Sequence, residues 1–167
     1  MELTSDVLLR GTAWNTAVDK LSSIFKTRPH YMLYVLCISI GIMYDKRIEK
    51  PEENNEKVIT VPRNVILNND NGKLDFMFQA AIMTTLTLEL TEDDRLNLAF
   101  AEHVDYNKIN LLTQFANYGV TKLVELIGET ELESMENIKS FLASTVEGTN
   151  FEIDSLPDEY LLEGMED

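Results

Sequence analysis

Residues 31–44 read YMLYVLCISIGIMY, fourteen positions broken only by Ser39 and Gly41, and this stretch decides the fold. As a helix it extends only about 21 Å, well short of the roughly 30 Å hydrocarbon layer that a spanning helix must cross. A run so apolar and so short belongs at the centre of a core, with other helices laid against it. Pro29 suits the first turn of that helix, because its missing N–H would be unpaired there anyway. The helix ends near Asp45, where Lys46 and Arg47 meet its negative pole.

The elements on either side are also helical. Upstream, a loose N-terminus leads into a helix over Ala13 to Phe25, whose stripe is Trp14, Ala17, Leu21 and Ile24 or Phe25. Downstream, KRIEKPEENNEKVIT makes a polar loop over about residues 46–60, with VITVP able to add a short extended piece. NNDNG, residues 68–72, is a turn, since Asn, Asp and Gly tolerate positive φ, and a hairpin around it is one reading. LDFMFQAAIMTTLTL reads as a buried helix. Thr91 caps the next one, with Glu92, Asp93 and Asp94 in its first turn, where the helix dipole favours acids. Ile109, Leu112, Ala116, Val120, Leu123 and Ile127 step by three and four, the cleanest helical stripe in the chain. Gly119 falls inside it, either as a tolerated cost or as a point of close packing or bending. Leu132, Met135, Ile138, Leu142 and Val146 mark a final helix. The expected fold is therefore mostly α: a single compact domain over residues 1–148, five or six helices around the buried helix Pro29 to Tyr44, with an acidic tail over 149–167.

Charge is divided unevenly along the chain. Residues 1–50 hold seven Lys/Arg against five acids, and residues 51–167 hold seven against twenty-four. A surface carrying that excess repels nucleic acid and anionic membrane and attracts basic protein surfaces. The expected partner is a larger protein with a basic face, with no membrane contact and nucleic acid reached only indirectly. In the tail, Phe151, Ile153, Leu156, Tyr160, Leu161, Leu162 and Met165 alternate with acids such as Asp154, Asp158 and Glu159. That pattern suits a linear segment whose apolar side chains enter a partner's groove while its carboxylates meet Lys/Arg on the rim. The bland alternative is a solvated tail folded back on the domain. Lys20, Lys26, Arg28, Lys46, Arg47 and Lys50 form the one basic contact patch, suited to sitting beside nucleic acid or to receiving another copy's tail in a homo-oligomer.

No residue set names a reaction, so the expectation is a protein that is not an enzyme and uses no cofactor. Cys37, the single cysteine, sits in the apolar run as a packing residue, and one cysteine excludes a disulfide framework. The opening Met-Glu-Leu-Thr-Ser-Asp lacks the basic and apolar regions of a secretory signal, which points to the cytoplasm. His103 with Glu102 and Asp105 is the best local ligand cluster, but its spacing does not put all three on one helical face. NNDNG fails as a calcium loop: with Gly72 in the glycine slot, the first and twelfth ligand positions fall on Leu67 and Phe78. The seven glycines are scattered singly, so no phosphate-binding loop exists.

Four segments together, IFKTRPHYMLYVLCISIGIMYDKRI (24–48), VPRNVI (61–66), FMFQAAIMTT (76–85) and FANYGVTKLVELI (115–127), resemble small accessory proteins of prokaryotic DNA phosphorothioation (Dnd-type) and related anti-phage defence operons. The resemblance spans roughly Ile24 to Ile127; the loop Glu49 to Lys57 and the end after Gly148 have no counterpart in it. It implies an accessory or adaptor subunit beside larger ATPase, nuclease or modification partners, and it transfers no active-site residue. Two other readings stand next to it: an acidic DNA mimic that inhibits a restriction or CRISPR enzyme, and a small dimeric DNA-binding regulator using the Lys20 to Lys50 region.

Overall fold

The computed structural model describes residues 3–51, 57–101 and 106–146. Along the chain these form β1 (Val7–Leu9), α1 (Thr12–Leu21), α2 (Pro29–Met43), β2 (Ile59–Val61), α3 (Arg63–Asn69), α4 (Lys73–Thr84), α5 (Glu92–Phe100), α6 (Lys108–Glu125) and α7 (Glu131–Val146). The chain is mostly α, with α2 at its centre as expected. Tyr31, Leu33, Tyr34, Cys37, Ile38, Ile40 and Gly41 of that helix are buried, and α1, α4, α6 and β2 all pack on it.

The crossing of α2 and α6 organises everything else, and two glycines permit it. A Cβ added at Gly41 would lie 2.1 Å from the Phe115 carbonyl oxygen, and one at Gly119 would lie 1.9 Å from that of Cys37. Each helix thus lays a glycine on the other's backbone, and Gly119 is a close-packing point. The expected stripe on α6 is inside: Leu112, Ala116, Val120 and Leu123 are buried, and Leu111 and Phe115 widen it. Without those side chains in the core neither helix would hold its place, since burial of each large apolar side chain contributes about 1.5–3 kcal/mol.

α2 ends by backbone chemistry rather than by the charge of Lys46 and Arg47. Asp45 adopts φ 48°, its N–H donates to the Ile42 carbonyl (2.9 Å), and the Lys46 N–H donates to that of Gly41 (3.1 Å). This paired closure satisfies two carbonyls that the helix end would otherwise leave bare.

Several expectations are corrected. The opening stretch is not loose: β1 pairs antiparallel with β2, Val7 opposite Val61 and Leu9 opposite Ile59, and both pairs are buried. A three-residue strand is too short to show a period of two in sequence. NNDNG joins two helices instead of two strands. Gly72 takes φ 81° just before α4, and Asp70 accepts from the Leu74 N–H and the Tyr31 hydroxyl. The short helix α3, hidden in PRNVILNN, raises the number of helices among the described residues to seven. The segment 46–51 is no free loop either, because the Ile48 N–H donates to the Gln114 carbonyl at 3.0 Å.

Candidate interaction surface

The described residues contain all fourteen Lys/Arg and fifteen of the twenty-nine acids. The other fourteen acids lie at position 2 and within 52–56, 102–105 and 147–167, where there is no Lys or Arg. The tail residues Phe151, Ile153, Asp154, Leu156, Asp158, Glu159, Tyr160, Leu161, Leu162 and Met165 fall outside the described residues, as does the cluster of Glu102, His103 and Asp105.

Within the body, the α4–α5 unit carries the most conspicuous surface. Leu74, Phe78, Ala81 and Ile82 turn α4's inner face to the core, which leaves Phe76 and Met83 exposed on its back, Phe76 to 69%. On α5, Leu96 and Phe100 are exposed one turn apart. Between the helices Leu86 stands 81% exposed, on a loop that is firmly tied. Asp45 accepts from the Leu86 N–H (2.7 Å), the Thr87 N–H (3.0 Å) and the Thr87 hydroxyl (2.6 Å), while Arg47 donates to the Thr87 carbonyl (3.2 Å). Arg95 of α5 donates to the carbonyls of Ile82 and Leu88. The loop's backbone is thus anchored on both sides of an apolar side chain held in water. Exposed Glu89, Glu92, Asp93 and Asp94 rim the same unit, and none makes an ion pair among the described residues.

The six basic residues stand toward the two ends of α2. Lys20, Lys26 and Arg28 lie before α2 and Lys46, Arg47 and Lys50 after it, separated by a helix about 22 Å long. Several of them have structural work. Lys46 and Arg47 sit over the rings of Tyr118 and Phe115, at 5.9 and 5.8 Å. Arg28, at φ 56°, precedes α2 and accepts the Met32 N–H on its carbonyl. Lys20 lies 3.8 Å from its exposed neighbour Asp19, a pair worth little in water.

A groove runs along α6, between the N-terminal strand segment and the strap 48–51. Its adjoining hollows, of about 330, 580 and 480 Å³, share lining residues from one to the next. Asn110, Thr113, Asn117 and Thr121 of α6 face it, a polar stripe at helical spacing beside the apolar one. Asn117 fastens the walls: it accepts from Trp14 Nε1 at 3.0 Å and donates to the Ile48 carbonyl at 3.1 Å. Arg10 and Lys50 stand at its rim. Sequence reading passed over this stripe, although Asn and Thr recurring at three- and four-residue steps beside an apolar helix face were there to be seen.

Cys37 is fully buried, and burial pushes its thiol well above the ordinary range. Tyr34, also buried, is pushed up by desolvation against the lowering effect of its hydrogen bond to the Thr113 hydroxyl. Among the described residues no three His, Cys, Asp or Glu come together, and no helix is long and apolar enough to cross a membrane. No known protein family, curated protein or solved structure matches the chain.

Proposed function

We propose that this chain is a non-enzymatic accessory subunit of a bacterial anti-phage defence complex, a cytoplasmic adaptor that docks on a larger ATPase, nuclease or modification partner. It does so through its acidic C-terminal half, with the α4–α5 surface as one part of the interface and the tail as the other. The observation that carries this reading is Leu86, an apolar side chain displayed in water on a loop pinned by Asp45, Arg47 and Arg95. Exposed apolar groups rimmed by polar ones mark contact sites, and a pre-ordered loop loses little entropy on docking. The neighbouring acids, in no ion pair among the described residues, select a cationic partner. The resemblance over residues 24–127 supplies the defence setting.

A DNA mimic draws less support, because the fifteen acids of the described residues are interspersed with fourteen Lys and Arg. A DNA-binding regulator draws less as well, its basic residues being parted by the length of α2.

Co-purification with the products of adjoining genes tests the adaptor reading. Deleting residues 149–167, or combining Leu86→Ser with Phe100→Ser, is expected to weaken capture sharply while the helical circular dichroism stays unchanged. Full capture by both variants refutes the reading.

A further inference from the structure

The loop that displays Leu86 has its main chain already engaged. The Leu86 and Thr87 N–H groups donate to Asp45, the Thr87 carbonyl accepts from Arg47, and the Leu88 carbonyl accepts from Arg95. On either side of it α4 and α5 bond their own backbones, and the unit contains no strand. It therefore offers a partner side chains and little else. Any segment pressed onto its apolar groups must still satisfy its own N–H and C=O groups, because leaving them bare in a dry contact costs as much as a lost hydrogen bond. An extended peptide meets that need by adding to a strand edge, which this unit lacks. A helix meets it internally.

Phe76 and Met83 are two turns apart on α4, so they stand on one side of it with about 10 Å between them, and Leu86 follows three residues on. On α5, Glu92 and Asp93 lie one turn before Leu96, which lies one turn before Phe100, so carboxylates and apolar groups share the face opposite buried Ala99. These charges are not neutralised from within. Glu89, Glu92, Asp93 and Asp94 make no ion pair among the described residues, and the cations of the neighbourhood are engaged elsewhere. Lys73 donates to the Asn69 and Asp70 carbonyls, Arg95 to those of Ile82 and Leu88, and Lys108 to Asp75. We infer that this surface receives an amphipathic helix of the partner, apolar on one side with Lys or Arg along its edges, an assignment that rests on the adaptor reading. Like charge disfavours two other occupants. The chain's own residues 147–167 hold eight acids and no Lys or Arg, and the same face of a second copy presents the same four carboxylates.

Fluorescence anisotropy with the full chain tests it, using labelled peptides of about eighteen residues, long enough to form a helix. One carries Leu at helical spacing among Lys, a second has the same composition with Leu at strand spacing, and a third is the first with every Lys replaced by Glu. The first is expected to bind at least about tenfold more tightly than either of the others. Because the first two carry equal charge, attraction to the acidic segment 147–167 cancels between them. Leu86→Ser combined with Phe100→Ser is expected to weaken the first peptide by about tenfold or more and to leave the second unchanged, with the helical circular dichroism of the parent. Equal binding of the first two peptides, or a first peptide indifferent to the double substitution, overturns the helical occupant, and a Glu peptide that binds as tightly as its Lys counterpart overturns the cationic one. Capture of adjoining gene products lost in the double variant, without any preference for the helical peptide, would sink the helix and leave the adaptor. A preferred helical peptide with capture intact would sink the adaptor and leave the helix.

Discussion

Replacing Gly119 by alanine adds one methyl group and asks two helix backbones to move. The new carbon would sit 1.9 Å from the Cys37 carbonyl oxygen and 2.7 Å from its carbon, where ordinary contact begins near 3.4 Å. The shortfall is about 1.5 Å, and no rotamer can absorb it because the obstructing atoms are backbone. α2 and α6 must separate, and a gap of 0.5–1 Å already forfeits roughly a quarter to a half of the dispersion energy of each facing pair. Overpacking costs typically 1–3 kcal/mol, and this case belongs at or above the top of that range. Alanine's better helix propensity returns about 1 kcal/mol. The net loss is then about 2–3 kcal/mol, a large part of the 5–15 kcal/mol that holds a domain of this size. Urea unfolding measures it, with circular dichroism for the helices and fluorescence of Trp14, the single tryptophan and fully buried, for the core. Gly41→Ala, facing Phe115 at 2.1 Å, should behave alike. A Gly119→Ala protein as stable as the parent, or more stable through propensity, would refute the account of the crossing.

Two further predictions concern single polar residues. Asn117→Leu leaves Trp14 Nε1 and the Ile48 carbonyl without their partner, at a cost of about 1–3 kcal/mol; a shifted urea midpoint and altered Trp14 emission are expected, and an unmoved midpoint counts against Asn117 as the fastener. Asp75 is held below the usual carboxylate range: burial raises its pKa, and hydrogen-bonded cations, among them Lys108 at 2.9 Å, more than offset it. Because the folded value is the lower one, its stabilisation is complete above the ordinary value of about 4 and is lost as pH falls through the folded value. Asp75→Asn should flatten the acid limb of a stability–pH curve there, and an unchanged limb would contradict the shift.

Much of the fold is legible from apolar spacing. The central position of 31–44 follows from its length and its lack of charge, and the α6 stripe from steps of three and four, because helix geometry converts those intervals into one buried face. The capping role of Thr91 is equally local, its hydroxyl accepting the Asp94 N–H at 3.2 Å. β1 is not legible, because Val7–Leu9 gains its meaning only from Ile59–Val61, fifty residues away. Nor is the exposure of Leu86, which depends on Asp45 reaching across from the end of another helix.

What the sequence alone determined is the class and the charge: helices with one apolar side each, a central helix with nearly none that is polar, and a rear portion rich in carboxylates. These follow from periodicity and composition, which are properties of neighbouring residues. Tertiary structure decided that Gly41 and Gly119 are the contact on which α2 and α6 cross. It also brought Leu8 of β1 to the wall of the α6 groove. Those outcomes depend on groups far apart in the chain meeting at a few ångströms, a relation that no local pattern carries.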